Sequence, residues 1–250
     1  MGTPDHEAAL ATVRSTYDPI HDIGSAIYLS QDVFGWAAEW GWTNPFAFYF
    51  AGRGGMLGEV GADVVHAATG WFEPNAVKAM YEEGVAVAGA RAAAARMAEA
   101  HGMWGDKYYA DVEDLDGIVA VTEQMVDGLE GSGIPLFAGW RDAERSGSAA
   151  GRAAQLMQIL REWRGGLHLV ATTAAALSPL EAILTNEGPG QAKLFGWSEP
   201  FPDCAAIKSK HDDAEKMTDE LCATGLLKAL GADQLGEFER GVEVLRAATP

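Results

Sequence analysis

Positive charge, cysteine and long apolar runs are all scarce in this chain, and each shortage excludes something. Lys and Arg total 18 against 36 Asp and Glu, a formal net charge of −18. Phosphate neutralisation supplies most sequence-independent nucleic-acid affinity, so this balance predicts no nucleic-acid partner unless a local basic face forms. The densest basic stretches, 91–96 and 141–164, are dilute, with Glu interspersed. There are two cysteines, Cys204 and Cys222, and no C-x-x-C, so free thiols in a reducing cytoplasm are expected. No run approaches the roughly 20 apolar residues of a membrane span, and the opening residues lack the basic-then-apolar order of a secretory signal. A cytoplasmic chain with no membrane partner follows. Strand-type alternation is scarce too, and no Asn-Gly hairpin signal occurs.

What remains is helical. Alanine is abundant, and caps and prolines recur at helical spacing, which predicts an all-α, compact multi-helix domain spanning residues 1–250. Asp5 caps a first helix to about residue 16, and Asp18-Pro19 reads as an N-cap with proline opening a second. Ser30 or Asp32 caps the next, ending at Gly41. Asn44-Pro45 repeats the device and starts an aromatic helix ending near Gly52. Gly52, Gly54, Gly55 and Gly58 read as a turn. Further helices are expected over 59–71, 74–81, 85–100, 115–129, 135–145, 149–163 and 167–177. After a capped start at Ser178-Pro179 and a turn at Gly188-Pro189-Gly190, Asp203 and Asp233 cap the last two, reaching about 225 and 248. A faint repeat pairs His21 with His168 and His66 with His211, at offsets of 147 and 145 residues. It suggests two pseudo-symmetric halves, approximately 1–130 and 131–250, with a pocket on the axis between them.

The stretch from Asn44 to Phe72 is the densest in chemistry, with aromatics, a glycine-flanked Arg53 and His66 in an apolar helix. A guanidinium there can hold a ligand carboxylate or phosphate bidentately, or cap its own helix or pair with Glu59. Tyr28, Phe50 and Trp71 are the candidate apolar walls, with Arg53 as substrate anchor. Asp18-x-x-His21 and Asp63-x-x-His66 place carboxylate and imidazole on one helix face, as di-iron helical bundles do with Glu-x-x-His. Asp18, His21, Asp63 and His66 are therefore candidate metal ligands, with Glu215 and Asp219 as added carboxylates; a cap and a core histidine explain the same residues. His168 begins an apolar stretch and is a candidate ligand or general base, or a hydrogen-bonded core residue. His211 and Glu215 stand at i, i+4, but Lys208, Lys210 and Lys216 make that helix read as a solvated face. No Walker, dinucleotide, nucleophile-elbow or H-E-x-x-H motif is present.

Four segments carry a resemblance. They are Asp18-Pro19-Ile20-His21 running into Ile27-Tyr28-Leu29-Ser30, then Tyr49 to Gly58, then Leu160 to His168, and finally Phe195-Gly196-Trp197-Ser198-Glu199. Together they resemble the actinobacterial SalK-like family, whose members are generally labelled helix-turn-helix proteins. The resemblance implies a helical fold and an actinobacterial context but no reaction. The expectation from the residues is a small-molecule-binding helical protein acting as a metal- or haem-dependent oxidative enzyme of specialised metabolism. His21, His66 and His168 are its candidate catalytic residues, and a transition metal or haem its cofactor. The alternative is a non-catalytic ligand-sensing or regulatory module. A small-molecule ligand is the expected partner, and a homodimer is compatible with either.

Overall fold

The computed structural model describes residues 4–250. It contains thirteen α-helices and one short 3-10 turn, with no strand among the described residues. The helices of the first half are α1 (Pro4–Tyr28), α2 (Gln31–Glu39), α3 (Pro45–Gly55), α4 (Ala62–Thr69), α5 (Pro74–Ala88), α6 (Ala90–Tyr108) and α7 (Leu115–Gly128). Then follow α8 (Pro135–Asp142), α9 (Ala149–Ala174), α10 (Pro179–Asn186), α11 (Pro189–Leu194), α12 (Lys208–Leu230) and α13 (Leu235–Ala248). The all-α architecture expected from the sequence is the observed one.

Cap chemistry fixes several starts. The Asn44 side chain accepts from the Phe46 and Ala47 amides ahead of Pro45, Ser30 accepts from Asp32, and Ser148 accepts from Gly151. Ser178 and Glu181 form a reciprocal capping box. Asp203 accepts from the Ala205 amide and leads into the 3-10 turn before α12, whereas Asp233 makes no capping bond to α13.

Three expectations fail for identifiable reasons. First, α1 runs straight through Pro19, so Asp18 is a mid-helix residue and not a cap. A proline inside a helix forfeits a backbone hydrogen bond at a cost of roughly 3 kcal/mol. Packing of α1 on α9, α12 and α13, which buries Ile23 and Ile27 completely, offsets it. Second, Gly52, Gly54 and Gly55 belong to α3, and only Gly58 has positive φ. Those glycines are there for close approach: a Cβ on Gly55 would lie 2.1 Å from the Ala90 carbonyl oxygen at the start of α6. Third, the helices expected at 149–163 and 167–177 are one helix, α9. A Cβ on Gly166 would lie 2.4 Å from the Ile134 side chain, so this glycine fits a helical contact.

The helix α9 is the central shaft, packed by α1, α6, α7, α8 and α12. Around it lies the main apolar core, and a smaller cluster of Phe50, Val65, Val77, Tyr81 and Ala90 sits beneath α4 and α5. No single described helix is long and apolar enough to cross a membrane. Cys204 and Cys222 are both buried free thiols.

Candidate functional site

On α9 the spacing of Gln158 and Glu162 turns two polar side chains toward α1 and α3, where apolar packing would be expected. Glu162 is 2 % exposed and receives both Nε (2.7 Å) and Nη2 (2.8 Å) of Arg53. The third guanidinium direction, Nη1, donates to the Tyr49 hydroxyl at 2.9 Å. Gln158 Nε2 donates to Glu162 Oε1 and to the Tyr28 hydroxyl, each at 2.8 Å. Burial pushes the Glu162 carboxyl up, but the charge and hydrogen bonds of Arg53 outweigh it and hold the pKa below the ordinary value. Burial pushes the Arg53 guanidinium down, and Glu162 more than reverses this. Both shifts describe one ionised, bidentate, buried pair.

Beside this network, His101 is completely buried, edge-on to Tyr28 and Trp140. Its Nδ1–H donates to the Met97 carbonyl at 2.8 Å, and Nε2 has no partner. Burial lowers its pKa to about 4, so the ring is neutral near pH 7.

Arg53 and Tyr49 of this network line a cavity of about 170 Å³. At roughly 10–15 Å³ per water, that is room for on the order of ten waters or a small ligand. Its apolar lining includes Trp71, Phe72, Leu160 and Phe195, with Phe72 and Phe195 rings 4.4 Å apart. The Trp71 carbonyl is held by Trp197 Nε1 at 2.9 Å, which ties the α4–α5 connection to the segment after α11.

Two arginines of α9 face the cavity differently. Arg164 is engaged: Nη2 lies 2.9 Å from Glu215 and 3.6 Å from Asp219, and the guanidinium sits 3.4 Å over the Tyr17 ring. Arg161 has no carboxylate within ion-pair distance and makes no hydrogen bond among the described residues; its Nε is buried and unpartnered, and its guanidinium lies over Tyr28. Gly24 leaves room for its stem, since a Cβ there would be 2.3 Å from Arg161 Cδ.

Opposite stand His168 of α9 and His211 and Glu215 of α12. His168 Nδ1 is 2.9 Å from Thr218 Oγ1, and its Nε2 is 3.4 Å from Glu215 Oε1. Burial lowers the His168 pKa to about 4, against the opposing pull of Glu215. His21, at 48 % side-chain exposure, also lines the cavity, its pKa lowered by burial and then by Arg161.

Of the residues singled out in the sequence, His21, Arg53, Trp71, His168, His211 and Glu215 line this one cavity. Tyr28 lies behind Glu162, and Phe50 belongs to the smaller core cluster, so neither is a lining residue. His66, on α4, is not a lining residue either, and its Nε2 is buried without a partner. The four-residue metal set does not converge: Asp18 and Asp63 are exposed on α1 and α4. Helical i, i+3 spacing aligned each pair, but α1 packs on α9, α12 and α13 while α4 packs on α5, so nothing joins the pairs. Among the described residues the His, Asp, Glu and Cys atoms that do converge are those of His168, His211 and Glu215, all within 4.8 Å of one another. The solvated-face expectation for α12 fails at His211, which is 4 % exposed while Lys208, Lys210 and Lys216 point to solvent.

Sequence reasoning missed Gln158, Glu162 and His101. A signal for Glu162 was present: it is the only acidic residue between Glu144 and Glu181.

A family model whose description is Helix-turn-helix family matches residues 11–233, most of the chain. No curated protein and no solved structure matches. The family match overturns two expectations. The metal- or haem-dependent oxidative enzyme gives way to the regulatory alternative, and the exclusion of nucleic acid is withdrawn. The exclusion rested on total charge and on basic residues that are dilute along the sequence, whereas a binding face is assembled in space, and phosphate contacts also come from backbone amides and helix N-termini.

Proposed function

Because the chain belongs to the Helix-turn-helix family, we propose that it is a non-catalytic regulatory module that binds nucleic acid and responds to a small molecule held in its interhelical cavity. The observation that carries this is the extent of the family match: residues 11–233 contain every cavity-lining residue except Phe238, so the cavity is part of the family's own unit. The narrower likeness to the actinobacterial SalK-like family points to the same place, since the resembling segments supply His21, Tyr49, Arg53, Arg161, His168 and Phe195 to the lining.

The lining describes the effector by chemistry. Aromatic walls favour a partly apolar molecule, and a cavity-facing Arg161 with no carboxylate partner favours an anionic group on it. A cytoplasmic location accords with this role. With 36 acidic against 18 basic side chains, nucleic-acid contact must be confined to a small face. Affinity should then fall with salt at a slope corresponding to only a few phosphates.

Selection from a random duplex library with the full chain tests the proposal. Enrichment of a defined sequence, bound with a shallow salt slope, is the expected result. Failure to enrich any sequence over non-specific retention would remove nucleic acid as the partner.

A further inference from the structure

We propose that His168, His211 and Glu215 form a binding site for one divalent transition-metal ion of the zinc, cobalt or nickel class, with open coordination positions facing the cavity. The site deepens the effector reading by naming a cation within it, and depends on that reading for its role but not for its existence.

The proton inventory around His168 is the first support. Thr218 has one hydroxyl hydrogen, and it is donated to the Ala214 carbonyl at 2.8 Å. Thr218 Oγ1 can therefore only accept at 2.9 Å from His168, which places the imidazole proton on Nδ1. In the neutral ring the lone pair on Nε2 then faces Glu215 Oε1 at 3.4 Å, lone pair against carboxylate. A cation between them converts that repulsion into two bonds. Thr218 plays the part of the outer hydrogen-bond partner that sets tautomer and ring orientation in metal-binding histidines.

His211 is the second and independent support. It is 4 % exposed, lines the cavity and makes no hydrogen bond among the described residues. Its nearest carboxylate atom, Glu215 Oε1, is 3.8 Å from Nε2, beyond hydrogen-bond reach. This imidazole lines the cavity, so a group bound there can supply the partner that the described residues do not. The i, i+4 spacing of His211 and Glu215 puts both on one face of α12, and packing of α9 on α12 brings His168 to them.

The distances suit an ion. Metal–ligand bonds of roughly 2.0–2.2 Å in a tetrahedral site separate ligand atoms by about 3.4 Å. The His168–Glu215 separation is already 3.4 Å, and the others need a modest inward rotation. Two imidazoles and one carboxylate select a borderline transition metal over calcium or magnesium, which prefer all-oxygen sites. Arg164 holds the other carboxylate oxygen, Oε2, at 2.9 Å, so Oε1 is oriented toward the histidines. Arg164 also adds a positive charge that opposes the ion, partly offset by Asp219 at 3.6 Å.

The test uses full-length protein without a histidine tag, titrated with Co²⁺ and followed by visible d–d absorption, then back-titrated with Zn²⁺. One Co²⁺ per chain, with four- or five-coordinate bands bleached by Zn²⁺, is expected. His211→Ala and His168→Ala should abolish the bands. Glu215→Gln, at a partly exposed position that leaves the core intact, should weaken binding by about tenfold or more. No stoichiometric Co²⁺ band in the wild-type chain, or an unchanged band in Glu215→Gln and His211→Ala, would overturn the proposal. Nucleic acid is absent from this measurement, so its failure leaves the family-based function standing, and failure of duplex selection leaves the metal site standing.

Discussion

At the scale of single residues, the buried Arg53–Glu162 pair dominates. Taking two charges out of water costs several kcal/mol per ion, and only bidentate geometry plus the added bonds from Gln158 and Tyr49 makes the arrangement tolerable. Removing one partner strands the other. Glu162→Ala should therefore destabilise the chain by about 3–5 kcal/mol, while Arg53→Met with Glu162→Leu should recover most of that loss. Urea denaturation of the three proteins checks it, and equal losses in the single and double variants would contradict it. His101 gives a second expectation. Its folded pKa, about 4, lies below the unfolded 6.5, so the unfolded chain takes up the proton first as pH falls. Stability is fully present above pH 6.5 and is lost between 6.5 and about 4, at about 1.4 kcal/mol per pH unit for this one group. The charged groups it senses are Glu162 and Arg161, and its ring neighbours are Tyr28 and Trp140. Unfolding free energies at pH 7 and 5.5 should show the loss, and His101→Met should flatten the slope by that amount. Arg53 was conspicuous in the sequence from its glycine setting, but its partner is 109 residues away, and no local pattern announces a contact of that range.

At the scale of helices, the legible features were those with local causes. Asn44-Pro45, Ser30, Ser148 and the Ser178 box act through bonds within a few residues, and these starts were found where the sequence placed them or close by. Proline and glycine misled because their meaning is decided by neighbours distant in sequence. Pro19 reads as a start until α1 is seen buried against three helices, and Gly55 reads as a turn until Ala90 is seen against it. The same logic explains why the histidine pairs were misplaced: i, i+3 spacing fixes a face, and only packing decides what that face meets. Two glycines measure the distinction. A Cβ on Gly55 would meet the Ala90 carbonyl at 2.1 Å, whereas a Cβ on Gly190 in α11 would meet nothing within 4 Å. Gly55→Ala should cost about 1–3 kcal/mol through overpacking. Gly190→Ala should be neutral or stabilising by roughly 0.4–1 kcal/mol, because alanine restricts the unfolded chain. Thermal melts should show a lowered midpoint for Gly55→Ala and a level or raised one for Gly190→Ala.

At the scale of the whole chain, the sequence suggested two halves, and the contacts bear on whether either can stand alone. The helix α1 belongs to the first half, yet it packs on α9, α12 and α13 of the second. The helix α9 belongs to the second half, yet it packs on α6 and α7, and its Glu162 finds its counter-ion on α3. The cavity is shared in the same way, with Tyr17, His21 and Arg53 from one half facing Arg161, His168 and His211 from the other. A fragment covering 131–250 would expose the face of α9 that α1 and α6 cover and would leave Glu162 charged without Arg53. A fragment covering 1–130 would expose Ile23 and Ile27, which are fully covered in the intact chain. We therefore propose that residues 1–250 fold as one unit. Circular dichroism and tryptophan fluorescence should report coincident single transitions in urea for the full chain. The separate fragments should show weak helicity and broad melting, and should regain a cooperative transition only when mixed. A fragment 131–250 that melts cooperatively on its own would show that α9 does not need α1 and α3 to hold its buried carboxylate, and the single-unit proposal would fall.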